Sequence, residues 1–511
     1  MPDDVHKSST AGLGHRQSPS DQEGTLPVLA ALWVPSAIWL WITLQPKVAI
    51  VLTVLLAYAF VEVRRGGVFR AALRRERPAR SAAAAIVLFS LAWAAFTGLP
   101  FVMTINTDWF VRLEALDQFR EPAWQLLDAD GRSFLFRFPG AYYAVAAVFG
   151  GVSGIGTLRT VLFITTALTC AIALHSLYRK TAGRMLAAFL FVLLCINGLD
   201  LVGAGLLALR KGVALPPFGF HVEWWSTFQY SGLTTAMIWV PNHLLPALLF
   251  CAVLPLTRQG GGESPMGRLH VLVLAAAGTM LWSPLVFLGT IPLIAAQAWS
   301  ALEGSTLRRR LGEVKWGFAA AILAIMLVIS WYLTLESGPI RKGFYYQSCG
   351  AQWLRCSGWL AFFYVAEAIP LAWLCSRLPN RPVGLAAAFT LLVLPLLVYG
   401  PSNDLTMRAS LPAIVIAGMS LHHMLESRAT GRAAKAALVL LVVVAGYSAY
   451  SEMWRGLTGW RQEPWHPKGF MASFKEYFPE AIVDGYPPHY LIPAAQACRG
   501  YRKQVLRGCG A

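Results

Sequence analysis

Charge is what this sequence is short of. Asp, Glu, Lys and Arg make up 14% of its 511 residues, where a soluble domain carries roughly a quarter. Carboxylates are the scarcest, 26 against 43 Lys plus Arg, which leaves a formal charge of +17. Also missing are zinc-ligand spacings, a P-loop and a dinucleotide-binding glycine fingerprint. These absences exclude a soluble globular domain and give no support to nucleotide-dependent chemistry. The positive excess does not point to nucleic acid either. Most of the surplus arginine sits in short loops beside apolar runs, which is where cytoplasmic loops of membrane proteins collect charge.

What the chain has instead is apolar sequence, 56% of it, with a mean hydropathy of +0.53. A helix needs about 20 mostly apolar residues to cross a bilayer. Spanning candidates lie near 26–45, 48–63, 81–103, 159–177, 184–208, 233–255, 316–335, 358–376, 383–400, 409–426 and 434–451. The run 269–300 is interrupted at Trp282-Ser283-Pro284, because proline removes a backbone donor and clashes with the preceding turn; it reads as two short crossings. The stretch 139–155 is short and ends in Gly150, Gly151, Gly154 and Gly156, so it reads as a re-entrant or half helix, tolerated at that depth only under cover of protein or a water-filled cavity. The fold class is all-α, a polytopic transmembrane bundle of about 11–13 helices. The domain plan is a polar, disordered cytoplasmic segment over 1–25, a membrane domain over 26–451 and a short extracytoplasmic tail over 452–511. The first 25 residues carry no cleavable signal pattern, and the run from Leu26 reads as an uncleaved anchor.

Orientation follows from the basic loops. Arg64, Arg65, Arg70, Arg74, Arg75, Arg77 and Arg80 share one short loop, assigned to the cytoplasm. If 139–155 does not span, the clusters Arg179/Lys180/Arg184, Arg258/Arg268, Arg308/Arg309/Arg310, Arg377/Arg381 and Arg428/Arg432/Lys435 fall on that side too. If it spans, all of them invert. The outer segments are then 104–138, 209–232, 336–357, 401–408 and the tail, and these are richer in tryptophan, tyrosine and carboxylates. Chemistry on loops of a rigid scaffold should therefore face outward.

Four cysteines, Cys170, Cys195, Cys251 and Cys375, lie within apolar runs and read as small core residues. Cys349 and Cys356 share an outer loop, and Cys498 and Cys509 share the tail. On an oxidising face, two local disulfides are expected.

Three outer constellations carry candidate chemistry. The first loop, 104–138, opens at a helix end with Asn106-Thr107-Asp108-Trp109-Phe110, followed by Glu114, Asp117 and Glu121. Asp108, where chain meets membrane, should be desolvated and suited to act as a general base; the later acids fit the wet side of an amphipathic helix on the membrane equally well. The second is the aromatic loop Phe218, His221, Glu223, Trp224, Trp225, Phe228 and Tyr230, running into Trp239-Val240-Pro241-Asn242-His243. Such rings suit a sugar face, and also an ordinary interfacial belt. Asn242 and His243 lie deeper, where polar groups are costly unless they line a cavity. The third is Asn403-Asp404-Leu405-Thr406-Met407-Arg408. Arg408 can pair with Asp404 or present a guanidinium fork to a lipid phosphate, with Arg341, Lys342 and Arg355 on a neighbouring loop able to complete the cradle. Within the apolar runs, Asp200 and Glu367 should face the bundle interior or a water-filled cavity.

With Thr107-Asp108-Trp109, the amphipathic loop after it and Pro139-Gly140-Ala141-Tyr142-Tyr143 opening the next apolar segment, the chain resembles the GT-C superfamily of membrane glycosyltransferases. The 239–243 and 403–408 strings are similar to those of bacterial multipass proteins of that kind. The resemblance implies a polyprenyl-phosphate sugar donor, a glycan or lipid acceptor of the cell envelope and an inverting transfer on the periplasmic face of the inner membrane. It makes Asp108 the catalytic base. Substrate binding falls to Glu114, Asp117, Trp224, Trp225, Asn242, His243, Asp404, Arg408, Arg341 and Lys342, with the lipid in a groove near the Asp200 and His243 helices. One aspartate stands at the membrane edge where the family carries an acidic cluster, so a divalent metal is a cofactor the resemblance allows and this sequence does not demand. The hairpin at 26–63 is extra, and a large soluble C-terminal domain is lacking. A transporter or flippase for lipid-linked sugars, and a non-catalytic partner of an envelope-polysaccharide complex, make similar demands on sequence.

Overall fold

The computed structural model describes residues 25–65, 80–100, 103, 106–118, 125–127, 133–149, 153–181, 185–215, 218–226, 228–256, 264–303, 312–335, 341–400, 403–459, 469–479, 482, 491–499, 502, 504–507 and 509. Expectations for the N-terminal segment 1–24, for Glu121 and for the basic residues Arg70 to Arg77, Arg184, Arg258 and Arg308 to Arg310 lie outside it, as does the Trp224 side chain.

The described chain is mostly helical, and nine of its helical stretches are long and apolar enough to cross a membrane. They are 25–43, 46–65, 155–180, 186–211, 284–302, 316–334, 350–376, 404–426 and 432–458, with shorter apolar helices at 80–95, 241–253 and 381–396. A multi-pass membrane protein follows, since a lipid-facing backbone must satisfy its own hydrogen bonds and helices do so internally. Side chains such as Leu88, Val54, Leu168, Leu327, Val365 and Leu440 are exposed on the bundle flanks, as a lipid-facing surface requires.

The helices in chain order are α1 (Thr25–Thr43), α2 (Pro46–Arg65), α3 (Arg80–Ala95), α4 (Thr107–Gln118), α5 (Ala141–Val148), α6 (Ile155–Lys180), α7 (Leu186–Cys195) and α8 (Asp200–Lys211). Then come α9 (Leu233–Trp239), α10 (Pro241–Val253), α11 (Pro265–Thr279), α12 (Pro284–Leu302), α13 (Trp316–Thr334) and α14 (Trp353–Phe363). The last seven are α15 (Ile369–Ser376), α16 (Arg381–Val393), α17 (Asp404–Ala409), α18 (Leu411–Glu426), α19 (Arg432–Ala445), α20 (Tyr447–Thr458) and α21 (Phe470–Tyr477). Between α14 and α15 a π-helical turn spans Tyr364–Ala368.

Breaks fall where local chemistry puts them. Ser283 caps α12 by accepting from Val286 N–H, with Pro284 in the first turn, so 269–300 is two helices meeting at an angle-changing joint. Pro241 likewise ends the single run expected over 233–255, because its ring cannot donate and α9 stops at Trp239. The α5 helix has eight residues, too few to span at 1.5 Å each. The run expected over 81–103 is helical only to Ala95.

Contacts sort the helix ends into two groups. At one end Lys180 Nζ donates to Leu254 O, Asn380 Nδ2 to Pro255 O and Lys315 Nζ to Glu62 O; Arg65, Arg179, Arg268, Arg377, Arg381 and Arg428 belong to the same loops. At the other end the buried Arg159 guanidinium reaches Gly98 and Leu99 carbonyls. The end of α3 and the start of α6 are therefore neighbours, and the chain between them enters and leaves at one end of the bundle. Two small antiparallel sheets cap that end. One is β1 (Gln125–Leu127), β2 (Ser133–Phe136) and β5 (Leu491–Pro493), the other β3 (Lys342–Phe344) with β4 (Leu397–Tyr399). The tail is fastened there as well: Gln45 N–H donates to Val505 O, Arg507 N–H to Thr43 O, and a disulfide joins Cys498 to Cys509.

The core is close-packed around tryptophans that bond across helices, Trp33 Nε1 to Leu274 O and Trp282 Nε1 to Leu32 O, both at 2.9 Å. Cys170, Cys195, Cys251 and Cys375 are buried free thiols, and Cys349 is joined to Cys356.

Candidate functional site

Asp108 begins the second residue of α4, on the capped end of the bundle. Asn106 precedes the helix and fixes its entry: its Oδ1 accepts from Trp109 N–H and its Nδ2 donates to Ile238 O. Trp109, fully buried, donates its indole N–H to that same carbonyl. The start of α4 is thus nailed to the end of α9, and Asp108 points beside the joint between α9 and α10.

Arg112, one turn on, donates to Asp108 Oδ2 at 3.2 Å and to Trp239 O at 2.5 Å, and lies 5.2 Å from the Trp109 ring centroid. On α17, Arg408 meets Asp404 at 2.8 Å. The two pairs face each other: the charges that act on Asp108 are Arg112, Arg408, Asp404 and His221. A quarter of the Asp108 side chain stays accessible, yet withdrawal from water dominates and raises its pKa above the ordinary value. Arg112 and then Arg408 oppose that rise, and Asp404 adds to it.

His243 joins this group from α10, with Arg408 and Arg112 as its charged neighbours. Its Nδ1 lies 2.7 Å from Ser283 Oγ and its Nε2 3.3 Å from Asn242 Nδ2. With the amide donating to Nε2, a neutral imidazole carries its proton on Nδ1 and donates it to Ser283. Asn242 is 8% exposed, and its Oδ1 has no hydrogen-bond partner. A buried, unpaired acceptor costs about 1–3 kcal/mol, which a donor on a bound molecule would relieve.

Beside this polar cluster runs an apolar groove of about 150 Å³, lined among others by Val34, Pro35, Tyr142, Leu168, Leu245 and Trp282. Val34 and Leu168 are 54% and 58% exposed, so the groove opens sideways toward lipid. Its inner wall adjoins the site, because Trp282 precedes Ser283 and Leu245 follows His243 by two residues, and the Tyr142 ring lies 6.4 Å from Trp109. It flanks the His243 helix, and α1, α5 and α6 form the rest; the Asp200 helix does not line it.

Asp108, Asp404, Arg408, His243 and Asn242, then, come together. Other candidates go elsewhere. Glu114 is buried and accepts from Gly469 N–H and Ser473 Oγ, tying α4 to the tail helix α21. Asp117 is half-buried farther along α4. Arg341 and Lys342 are exposed at the rim, where Gly400 N–H donates to Arg341 O just before the Asp404 segment. Trp225 is buried and donates to Asp200 and Glu367, away from Asp108.

Arg112 and Glu452 are the residues that sequence reasoning passed over. The signal for Arg112 exists, since Asp108 and Arg112 repeat the i,i+4 spacing of Asp404 and Arg408. Glu452 on α20 accepts from Trp239 Nε1 at 3.0 Å and Arg455, and pairs with His221 Nδ1 at 2.6 Å. Burial alone would lower the His221 pKa; its bond to Glu452, with the charge of Glu223, outweighs burial and raises it. Nothing in the run 447–458 announces the bonds to His221 and Trp239, because those partners are more than 200 residues away.

Among the described residues no three His, Cys, Asp or Glu side chains are arranged to hold a metal ion. What the cluster offers is a desolvated carboxyl, two guanidiniums able to take an anion, a hydroxyl–imidazole–amide chain and an adjoining slot for an apolar tail. No protein-family model, no curated protein and no solved structure matches the chain.

Proposed function

We propose that this protein is a membrane glycosyltransferase of the GT-C kind. It moves a sugar from a polyprenyl-phosphate donor to an envelope glycan or lipid acceptor on the extracytoplasmic face of the inner membrane. The observation that carries this reading is the meeting of Asp108 with Arg112, Arg408 and His243 at the mouth of an apolar, laterally open groove. An amphiphile with an anionic head fits such a place: the chain lies in the groove and the phosphate meets the arginines, which match its oxygens bidentately.

In the transfer, Asp108 takes the proton of the acceptor hydroxyl as its oxygen attacks the anomeric carbon. The bond from that carbon to the phosphate oxygen breaks on the opposite face, so configuration inverts. Charge growing on the departing phosphate is met by Arg408. Preorganised charge of this kind is usually the largest catalytic contribution, and a positioned general base adds about 10²–10⁴-fold.

Purified protein incubated with polyprenyl-phosphate sugars should yield a glycosylated acceptor, and Asp108→Asn should lower the rate by at least about 10²-fold. Product formed at the wild-type rate by Asp108→Asn removes the base. A transporter or flippase for lipid-linked sugars is favoured by one feature, the buried carboxyls Asp200, Glu223 and Glu367. It predicts no product with any donor, and movement of the lipid-linked sugar across a proteoliposome membrane. A non-catalytic partner in an envelope-polysaccharide complex would tolerate Asp108→Asn without consequence.

A further inference from the structure

The other polar cluster of the bundle lies away from Asp108, where the start of α8, the loop before α9, the π-helical turn and α20 converge. Asp200, Glu223 and Glu367 are each no more than 1% exposed. Their hydrogen bonds come from neutral donors. Trp225 Nε1 is shared between Asp200 Oδ1 at 3.1 Å and Glu367 Oε1 at 2.9 Å. Asn197 Nδ2 is shared between Asp200 Oδ2 at 2.5 Å and Glu223 Oε1 at 3.1 Å. Ser448 Oγ adds a bond to Asp200, and Gln229 Nε2 and Gly232 N–H add bonds to Glu223.

Glu223 is thereby supplied at both oxygens. Glu367 is not: its Oε2 is buried and receives no donor from the protein, while its carboxyl stands within hydrogen-bonding reach of Asp200. Two carboxylates cannot accept from one another, and side by side without water they repel. A proton on one of them removes both difficulties, giving the orphaned oxygen a role and turning repulsion into a hydrogen bond.

Backbone closes on the cluster from two positions. A methyl on Gly198 would stand 2.6 Å from Glu367 Cγ and Oε2, and one on Gly203 would overlap the Trp225 ring. The titratable groups that act on the pair are Glu223 and His221 from the loop before α9, and Glu367 acts in turn on Tyr230 from the same loop. The cations His221 and Arg455 are both engaged by Glu452.

We propose that Asp200 and Glu367 together hold one proton inside the bundle, a proton-binding site that ties proton release to separation of α8 from the turn at Tyr364–Ala368. With the elements closed, the proton joins the two carboxyls. If they part and water enters, the proton leaves to solvent and two carboxylates remain. Re-closure takes a proton up again. The π-helical turn supports such a role, since single π turns concentrate at functional positions, and ionisable groups at membrane depth are costly enough to need a use. The site is independent of the transfer reaction, so it stands or falls separately from that reading.

Infrared spectroscopy of the purified full-length protein at neutral pH tests it through the carbonyl stretch of protonated carboxyl groups. Wild type should show this absorption with its deuterium shift. Glu367→Gln and Asp200→Asn should each lose one carboxyl's worth of intensity, because the introduced amide N–H replaces the shared proton. Glu223→Gln should retain it. Unfolding in weak buffer should release one proton more from wild type than from Glu367→Gln. No protonated-carboxyl absorption in wild type, undiminished absorption in both pair variants, or loss in Glu223→Gln alone would each overturn the proposal; the wild-type spectrum decides even where a variant fails to fold.

Discussion

At the scale of single residues, the candidate site rests on how four charges share a small volume. Asp108 is raised by withdrawal from water, drawn back by Arg112 and Arg408, and pushed up by Asp404. A general base works only when ionised, so transfer should rise with pH through the Asp108 midpoint, which lies above the ordinary aspartate range. Removing an opposing cation leaves burial less compensated, so Arg112→Gln should move the rising limb to higher pH. Removing the carboxylate neighbour does the reverse, so Asp404→Asn should move it lower. The kcat/KM profile of the three proteins against pH is the measurement, and a shift in the same direction for both variants would show that Asp108 does not set the limb. Arg112 is half legible in the sequence, through its spacing from Asp108. Its bond to the Trp239 carbonyl is not, because that carbonyl, 127 residues on, is freed only by the Pro241 break.

At the scale of elements, the site depends on short helices held by close approach. The α17 helix that carries Asp404 and Arg408 has six residues, too few to hold itself in place. It is held against α12, where Gly289 meets the Ala409 carbonyl so closely that any added Cβ would collide with backbone. Backbone cannot step aside as a flexible side chain does, so Gly289→Ala should cost about 1–3 kcal/mol of stability and displace Arg408. Thermal unfolding in detergent should fall, and KM for the lipid-linked donor should rise several-fold; unchanged values for both would mean that α17 is positioned by something else. The breaks at Pro284 and Pro241 and the brevity of α5 follow from local sequence, since proline acts on its own turn. The end of α3 at Ala95 is local only in part: Gly98, at φ +78°, and Pro100 follow it, although apolar residues continue to Val102. There Thr97 hydrogen-bonds to Ala94 O and Leu99 N–H, and Arg159 takes the carbonyls of Gly98 and Leu99. These bonds replace helical ones, and a distant arginine supplies two of them.

At the scale of the whole molecule, the two ends of the bundle differ in chemistry. One end gathers basic loops; the other gathers both small sheets, both disulfides, the tail and the Asp108 cluster. By the cytoplasmic preference for Arg and Lys, the proposed reading puts the first end in the cytosol and the second on the oxidising face. Single cysteines introduced by Lys342→Cys and Arg428→Cys, both at exposed positions, report this directly. In spheroplasts a membrane-impermeant thiol reagent should label the first and spare the second until the membrane is opened. The opposite pattern would turn the Asp108 cluster toward the cytosol and end the extracytoplasmic reading.

Taken alone, the amino-acid order determined the class of molecule, the positions of most apolar runs and the break at Pro284. Each of these depends on residues within one turn or one hydrophobic stretch, and on the dominance of apolar burial over everything else. The tertiary structure decided which polar residues share a space. Asp108 with Arg408, His221 with Glu452, and Asp200 with Glu367 are separated by hundreds of positions or nearly so. In an apolar medium a polar side chain must find a partner, but any of several helices could supply one. Only the packing of the assembled bundle selects it.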